Sequence, residues 1–374
     1  MLEAYYYYVL LILLQIFFII QLYYLIVVQS KLSSYKVSES SGEAKLPVSV
    51  IICARNEADN LKKNLPFIFS QKNIQFEVIV VNDCSYDRSD EVLRELQRTY
   101  GNLKVVVKDE HPRFKTGKKF AATLGIKAAE HEIVVFTDAD CKPDSDNWLA
   151  NICSNYNDEA TEIVLGYSPY ERKHGFLNLL IRYETFQTAL NYLSFTLQGA
   201  PYMGVGRNLS YKKSLFFKGR GFASHMHIPS GDDDLFVNQN SNPTNTVIEI
   251  RPDAHVWSEP KTSWGSYWTQ KVRHMGAGKE YRKKDKLKLS TQALSAMGFY
   301  VLIVTCLSLQ IEIVFVGILF VLRLLTQSVV FYKSLLKLRY KDLLGWIIIL
   351  DLFYHLYLSL LSIRGLFRKE TVWK

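Results

Sequence analysis

The chain has 374 residues and a formal net charge of +9, a length that supports one full-sized domain with a considerable remainder. The charge does not indicate nucleic-acid binding, because much of it flanks long apolar segments, where anionic membrane lipid is the expected partner. The five cysteines show no CxxC pair or other metal-binding spacing, which fits reduced thiols that face the cytosol.

The first predicted element is a transmembrane helix near the N-terminus. Residues 4–28 carry no charge and are long enough for one helix to cross a bilayer. A secretory signal is the alternative, but such a signal needs a basic start, and the opening MLEA supplies none. We therefore expect residues 1–30 to be a membrane anchor and residues 31–46 to be a polar linker.

Strand and helix patterns alternate from Pro47 onward. The β-branched run VSVIICA is typical of a buried parallel strand, and FEVIVVND, LKVVVKD and EIVVFTDAD repeat that pattern. Segments with helical spacing separate these strands, namely EADNLKKNLPFIFSQ, SDEVLRELQRTYG and KKFAATLGIKAAE. This alternation predicts an α/β fold in which helices cover both faces of a parallel sheet.

Polar side chains follow three of the predicted strands. Ligands of such sheets bind at the carboxyl ends of the strands, so we expect these side chains to share one site. Helix capping is the alternative, above all for Asp83. The side chains concerned are Arg55, Asn56, Glu57, Asn82, Asp83, Asp138 and Asp140.

Asp138 and Asp140 are the strongest candidates for metal ligands. Carboxylates one residue apart at a strand end can bind one hard cation together, and Mg²⁺ or Mn²⁺ is expected. Such a cation offsets the charge that a leaving nucleoside diphosphate gains when a nucleotide-sugar reacts. A phosphohydrolase of the haloacid dehalogenase kind also places DxD after a strand, but Lys142 stands where that class has Thr or Val.

Helical spacing also appears between residues 175 and 197. The apolar positions predict an amphipathic helix that packs against the α/β domain, or alternatively lies at the bilayer surface and guides a lipid-linked acceptor. The segment GVGRN that follows is too weak a glycine pattern to indicate a phosphate-binding loop.

The C-terminal part of the chain is again apolar. The stretch from Ser290 to Tyr332 suits two membrane crossings and residues 343–363 suit a third. Basic segments near residues 31–36, 282–288 and 333–341 then share one side of the membrane, which should be the cytoplasm. Arg323 and Asp351 lie inside the apolar runs, where ionisable groups line a pore or pair between helices.

Six motifs follow one another between Pro47 and Gly276, namely VSVIICARNEADNL, VIVVNDCSYD, KTGKKFAATLGIKAA, VVFTDADCKP, GDDDLFVNQ and WTQKVRHMG. Their order is typical of the family 2 glycosyltransferases, inverting enzymes with a GT-A fold, which this stretch resembles. Each is weak alone, but six in order beside membrane helices are specific. The resemblance implies a Rossmann-like, nucleotide-sugar-binding GT-A domain over residues 47–285, followed by a transmembrane region over residues 286–374.

The resemblance also implies roles for residues on the donor side. Asp83 binds the nucleobase in this scheme. Asp138 faces the ribose and diphosphate of the donor, and Asp140 is the main metal ligand. The residues implied to line the nucleotide pocket are Arg55, Glu57 and Lys118.

The implied general base is an aspartate of the acidic segment 231–235. Its sequence Gly-Asp-Asp-Asp-Leu leaves the register ambiguous by one position: we favour Asp233, whereas alignment of Leu235 with the later leucine of the family selects Asp232. Adjacent carboxylates repel, and a pKa raised by that repulsion suits a base near neutrality. A solvated acidic turn is the alternative.

Gln270 and Arg273 match the QxxRW motif, but His274 replaces its Trp. In processive members that Trp helps to form the acceptor site, so His274 argues against extension of a long polymer. It can still contact a sugar, or it is a partly buried interface histidine.

The predicted reaction is metal-dependent transfer of a sugar, from a UDP-sugar by family habit, to a hydroxyl of a lipid-linked or growing glycan acceptor. A processive synthase that moves its product across a bacterial inner membrane is the alternative, and the phosphohydrolase is a more distant one.

Overall fold

The computed structural model describes residues 2–37, 44–108, 117–228, 230–274 and 276–366, without the side chains of residues 2–4, 273, 274 and 362–366. Part of the predicted linker, residues 38–43, therefore lies outside the described residues. The first element is one long helix made of α1 (Leu2–Tyr23), a π-helical segment (Tyr24–Gln29) and α2 (Ser30–Ser34). Its span Tyr5–Ser34 is long and apolar enough to cross a membrane, as predicted.

The first half of the main sheet is parallel. Four strands lie in the order β3-β2-β1-β4, with a helix after each of the first three. This arrangement confirms the predicted strand and helix alternation. The elements are β1 (Val48–Ala54), α3 (Ala58–Phe69), β2 (Phe76–Asp83), α4 (Ser89–Thr99), β3 (Leu103–Lys108), α5 (Lys118–Ala128) and β4 (Ile133–Asp138).

The second half of the chain adds shorter elements. They are β5 (Cys141–Pro143), α6 (Trp148–Ser154), β6 (Ile163–Gly166), α7 (Phe176–Leu197), β7 (Leu209–Lys212), α8 (Lys213–Lys218), α9 (Asp234–Asn240), β8 (Thr246–Glu249), β9 (Val256–Ser258) and α10 (Trp264–His274). Strand β7 extends the sheet antiparallel to β4, followed by β6 and β8, and β5 pairs with β9 separately. The complete sheet is therefore mixed.

Apolar side chains of the central strands point alternately to two cores, because successive residues of a strand face opposite sides of the sheet. Ile52 and Val80 pack with α3, α4 and α6 on one face. Ile51 and Val81 pack with α5 and α7 on the other face. Both faces are thus covered by helices, as predicted.

Helix α7 is buried on nearly all sides, so the predicted amphipathic character is wrong. It contacts β8 on the domain side and α2 and α13 on the membrane side. Tyr183, Phe186, Leu190 and Tyr192 are all buried. Because buried residues occur on every side of the helix, α7 packs between the sheet and the candidate membrane helices, and the predicted packing against the α/β domain is confirmed.

Three further long helices follow, α11 (Lys283–Ser308), α12 (Ile313–Lys337) and α13 (Ile347–Leu366), with a 3₁₀ turn (Lys341–Trp346) before the last. Together with the N-terminal helix they give four candidate membrane spans in the described part of the chain. The predicted arrangement, one span before the α/β domain and about three after it, is confirmed.

The basic ends of the membrane helices lie together beside the α/β domain. Gln21 Nε2 donates to the Gln292 carbonyl at 3.2 Å and the Tyr24 hydroxyl donates to the Lys288 carbonyl at 2.7 Å, so the N-terminal helix runs antiparallel to α11. The Lys337 ammonium donates to the Leu32 carbonyl at 3.0 Å, which brings the end of α12 to the end of α2. The basic segments predicted to share one side of the membrane therefore lie at the same end of the candidate membrane helices.

A polar cluster joins the membrane helices, and we call Gln21, Tyr183, Tyr300, Arg323 and Asp351 the intramembrane cluster. Asp351 Oδ2 accepts from Tyr300 at 2.5 Å and from Arg323 at 3.2 Å, and Asp351 Oδ1 accepts from Tyr183 at 2.7 Å. Arg323 also donates to Gln21 Oε1 at 3.1 Å. Of the two expectations for these ionisable residues, the structure shows pairing between helices.

Candidate active site

A cavity of about 400 Å³ lies at the carboxyl ends of the parallel strands, where strand topology predicted a site. Its wall begins at Asp138 and Asp140 and continues along α7 and α10 to Leu358 and Leu361 of α13. One space therefore connects the carboxylate pair after β4 with a membrane helix.

The carboxylate pair is suited to a divalent cation. Oxygens of Asp138 and Asp140 and the sulfur of Cys141 lie within 4.8 Å of one another. Burial, and then the neighbouring charge of Asp138, raise the pKa of Asp140 above its usual range. A bound cation would offset both effects, because it favours the charged form of the carboxyl. Two carboxylates are also the ligand type that Mg²⁺ and Mn²⁺ prefer.

Lys118 links this pair to the acidic segment. Its ammonium lies 2.9 Å from Asp138 Oδ1 and 3.4 Å from Asp232 Oδ2. Burial alone would lower the pKa of Lys118, but the charges of Asp138 and Asp232 raise it well above its ordinary value. Lys118 therefore stays protonated and holds the two motifs at the same edge of the sheet.

The three aspartates of the acidic segment have different partners. Asp233 caps α9 by accepting from the Asp234 backbone at 2.8 Å, and its other oxygen accepts from the Gly206 backbone at 2.7 Å. Asp234 accepts from the Tyr281 hydroxyl at 2.8 Å. Asp232 has one charged partner among the described residues, Lys118, and so faces the carboxylate pair.

The pKa of Asp234 rises to about 7, first through burial and then through the charge of Asp233. Burial and the charge of Asp232 likewise raise the pKa of Asp233. The expected elevation of pKa by crowded carboxylates is therefore present, and it is shared by more than one member of the segment.

The residues predicted to form the nucleotide pocket lie on neighbouring loops. Asp83 is fully buried, forms an ion pair with Lys108 and has an Oδ2 atom without a hydrogen-bond partner in the described structure. Helix capping was the alternative role for Asp83, but the structure shows Asp87 in that role. Asp87 accepts hydrogen bonds from the backbone N–H groups of Ala58 and Ser89, each at 3.0 Å.

Glu57 and Arg55 follow β1 at the same sheet edge. Burial raises the pKa of Glu57, and the charges of Asp140 and Asp138 also raise it, so Glu57 lies in the field of the carboxylate pair. Tyr86 lies on the loop after β2, and the Arg55 guanidinium is 5.9 Å from the centre of its ring. The structure therefore brings the loops after β1, β2 and β4 to one site.

The predicted acceptor residues lie on α10. Gln270 lines the cavity, whereas the side chains of Arg273 and His274 lie outside the described part. Lys271 also lines the cavity and contacts Glu184 of α7 at 2.8 Å. Sequence reasoning missed Glu184, because a single acid in an apolar helix does not indicate that it pairs with Lys271, which lies 87 positions later in the chain.

Sequence reasoning also missed Arg207, which lines the cavity near Asp140. The segment GVGRN was considered only as a glycine pattern, and its one charged residue, Arg207, was not identified as a candidate. The available signal was a single arginine between the apolar segments PYMGVG and NLSY. A charged side chain in such surroundings is retained only when a partner or a ligand compensates it.

Comparison with known proteins identifies the domain. Residues 49–216 match the family model described as glycosyl transferase family 2. The chain carries a family 2 glycosyltransferase domain. The predicted family is thereby confirmed, and the match leaves the phosphohydrolase alternative without support.

Two curated relatives share this glycosyltransferase domain. Glycosyltransferase AglE of Haloferax volcanii is 32% identical over 130 residues, which cover 34% of this chain and 41% of the relative. The poly-beta-1,6-N-acetyl-D-glucosamine synthase of Staphylococcus aureus is 24% identical over 276 residues, which cover 72% of this chain and 64% of the relative. The chain thus spans less than two thirds of the length of either relative.

A solved structure with the same fold is a mannosyltransferase of Pyrobaculum calidifontis in complex with GDP-mannose and Mn²⁺. It superposes with a TM-score of 0.58 at 17% identity and covers 94% of this chain and 99% of its own. At this identity the likeness concerns the fold alone. It confirms the predicted GT-A architecture of the glycosyltransferase domain.

Proposed function

We propose that the protein is an inverting glycosyltransferase that moves a sugar from a nucleotide-sugar to a hydroxyl of a lipid-linked acceptor. The cavity that joins Asp138 and Asp140 to Leu358 and Leu361 of α13 carries this proposal. An acceptor with a polar head and an apolar tail fits it, because the head reaches the carboxylates while the tail follows the membrane helix. A UDP-sugar is the donor that family habit favours.

On the donor side, Asp140 is the proposed main ligand of Mg²⁺ or Mn²⁺ and Asp138 the proposed donor contact. The cation would supply the charge that stabilises the leaving nucleoside diphosphate. Lys118 adds a positive charge 2.9 Å from Asp138. Arg55, Glu57 and Asp83 remain the proposed nucleotide-pocket residues, and the unpartnered oxygen of Asp83 supports a contact with a donor N–H of the base.

We propose Asp232, in place of Asp233, as the general base, and the hydrogen bonds of the acidic segment support this proposal. Both oxygens of Asp233 accept backbone N–H groups, so it fixes Gly206 and the start of α9. Asp232 lines the cavity, and its Oδ1 atom has no hydrogen-bond partner among the described residues. In the proposed step Asp232 removes the proton of the acceptor hydroxyl, whose oxygen attacks the anomeric carbon as the bond to the diphosphate breaks.

On the acceptor side, Gln270, Arg273 and His274 remain proposals, of which Gln270 lines the cavity. Transfer of single sugars is our preferred mode, because His274 replaces the Trp of processive members. A processive synthase is the second candidate, and the resemblance to a poly-beta-1,6-N-acetyl-D-glucosamine synthase supports it.

We further propose that the protein resides in a bacterial inner membrane with its catalytic domain in the cytoplasm. The basic ends of the membrane helices adjoin the α/β domain, and cytoplasmic segments are those that carry the excess of Lys and Arg. The proposed division is an anchor over 1–30, a linker over 31–46, a catalytic domain over 47–285 and a membrane region over 286–374.

The test is donor turnover by the protein purified in detergent with Mn²⁺ or Mg²⁺. Release of nucleoside diphosphate is measured for a panel of nucleotide-sugars with lipid extracts as acceptors. We expect turnover of one donor, its abolition in Asp140→Ala and its retention in the exposed control Asp59→Ala. No turnover of any donor, or equal turnover by Asp140→Ala, would refute the proposal.

Two further measurements separate the alternatives. Mass spectrometry of the product distinguishes one added sugar from a ladder of lengths, which would select the processive synthase. Phosphate release from simple phosphomonoesters would favour the hydrolase instead.

A further inference from the structure

Arg207 lies on a short 3₁₀ turn, Gly206–Asn208, that leads from α7 into β7. Hydrogen bonds fix this turn on both sides of Arg207. The Gly206 N–H donates to Asp233 Oδ2 at 2.7 Å. Buried Asn208 accepts from the Trp148 indole at 3.0 Å and donates to two backbone carbonyls at 2.9 Å. Arg207 therefore projects from a rigid base, as binding groups do when their geometry is set before the ligand arrives.

The guanidinium of Arg207 is held in place but incompletely paired. It stacks on the Tyr170 ring at 4.2 Å, and its Nη2 atom donates to the Ser168 carbonyl at 3.2 Å. Its Nη1 atom is buried and has no hydrogen-bond partner in the described structure. A guanidinium has five donors, and a buried charged donor without a partner is costly. The side chain is thus positioned to donate to a group that the described residues do not provide.

The surrounding charges indicate which group that is. Burial lowers the pKa of Arg207, whereas Tyr170, Cys141 and then the charges of Asp140 and Asp138 raise it, so the guanidinium lies in the field of the carboxylate pair. No carboxylate oxygen among the described residues lies within 4.0 Å of the guanidinium, so these acids compensate its charge only from a distance. A cation on Asp138 and Asp140 would cancel their negative charge. The Arg207 side of the cavity would then attract an anion.

We propose that Arg207 binds an anionic oxygen, of a phosphate or a carboxylate, on one of the substrates. The planar fork of arginine matches both groups and forms paired hydrogen bonds with them. This inference rests on the proposed function, since it places a substrate in the same cavity. Two sources carry the required chemistry, namely the diphosphate of the donor and an anionic group on the acceptor.

The first arm of the test measures binding to the protein in detergent. Isothermal titration with UDP and with GDP, each with Mn²⁺, is carried out on wild type, Arg207→Gln, Arg207→Lys and the control Lys261→Gln. Lys261 also lies in the field of Asp140 but is exposed, so its loss should change affinity little. We expect Arg207→Gln to weaken binding about 10- to 100-fold, as for a lost charged hydrogen bond, with Arg207→Lys intermediate.

The second arm measures KM for the acceptor with the same variants. Unchanged nucleoside diphosphate affinity with a raised acceptor KM assigns the anion to the acceptor and also supports the inference. Unchanged values in both arms, in a variant whose thermal unfolding matches wild type, overturn it. If Arg207→Gln does not fold, the comparison of Arg207→Lys with wild type decides, because Lys keeps the charge but not the fork.

The two proposals fail in different ways. A wild-type protein that binds nucleoside diphosphate but transfers no sugar refutes the proposed function while the titrations still test Arg207. Conversely, active transfer with full affinity in Arg207→Gln refutes the role of Arg207 alone.

Discussion

Carboxylates in two regions of this protein, the intramembrane cluster and the cavity, have different numbers of partners. In the intramembrane cluster, Asp351 accepts hydrogen bonds from Tyr183, Gln187, Tyr300 and Arg323. In the cavity, Asp232 has only the ammonium of Lys118 among the described residues. The first carboxylate has its acceptor capacity filled by the protein, whereas the second does not. Incomplete pairing of its carboxylate therefore distinguishes Asp232 from Asp351.

Loss of the two kinds of carboxylate is expected to affect stability and activity differently. Removal of one member of a filled, buried ion pair leaves an uncompensated charge and destabilises the fold. Removal of an incompletely paired carboxylate at the edge of a cavity costs the fold little and the reaction much.

The largest effect is expected for Asp232→Asn. As the proposed base, Asp232 contributes about 10²- to 10⁴-fold to the rate, so kcat should fall by that factor while the melting temperature stays near that of wild type. Asp233→Asn should instead lower the melting temperature, because it weakens the cap of α9 and the bond to Gly206.

Parallel measurements of kcat and thermal unfolding on both variants decide between these aspartates. A larger loss of kcat in Asp233→Asn at an unchanged melting temperature would return the base to Asp233. Equal losses would leave neither assignment supported.

The next effect is expected for Asp351→Asn, which leaves Arg323 without a charged partner in the described structure. We expect a loss of about 3–5 kcal/mol in the free energy of unfolding, measured by denaturant titration in detergent. The double variant Asp351→Leu with Arg323→Met should recover much of it, since apolar residues tolerate the membrane interior. A double variant as unstable as the single one would show that the cluster acts through its hydroxyl and amide partners.

The parallel half of the sheet could be predicted from the sequence, because its strands have six to eight residues and regular helices between them. Strands β6, β7 and β8 have only four residues each, too few for a pattern of period two to show. The mixed half of the sheet was therefore not foreseen.

The membrane spans were predictable from apolar length alone. The burial of α7 was not, because it depends on elements that pack on both of its sides.

The candidate site was likewise predictable only in part. Asp138 and Asp140 could be found because a strand end and a short motif coincide there. The register of the acidic segment could not, since Lys118, Gly206 and Tyr281 reach it from distant parts of the chain. Nonlocal partners decide which of three adjacent aspartates is free to react.

A smaller effect is expected for Asp234, whose pKa rises from the ordinary 3.8 to about 7 in the folded protein. The folded state then holds a proton that the unfolded chain has released, so this contribution to stability is complete below pH 3.8 and is lost as pH rises through 7. We expect Asp234→Asn to melt at a higher temperature than wild type at pH 8 and to show a shallower decline between pH 5 and 8.

Melting curves across that pH range test this expectation, with the exposed Asp59→Asn as control. A wild-type slope that persists unchanged in Asp234→Asn would assign the pH dependence to another group of the cavity.

The smallest effect is expected for Tyr340→Phe, because Tyr340 contacts the cavity wall through Tyr170. The buried Tyr340 hydroxyl, on the loop after α12, accepts from the Tyr170 N–H at 2.5 Å and donates to the Tyr170 carbonyl at 2.9 Å. The guanidinium of Arg207 stacks on the ring of Tyr170, 4.2 Å from the ring centre. Loss of the hydroxyl should cost about 1 kcal/mol of stability and, through a looser Arg207, about a fivefold loss of nucleoside diphosphate affinity.

The matched control is Tyr332→Phe, an exposed tyrosine of α12 with 44% of its surface accessible. The same titrations and melting curves apply to both variants. If Tyr340→Phe loses stability but keeps full affinity, Tyr170 supports Arg207 without help from the membrane loop, and the two regions are energetically separate. If affinity falls while Tyr332→Phe matches wild type, the packing of the membrane helices contributes to the geometry of the donor site.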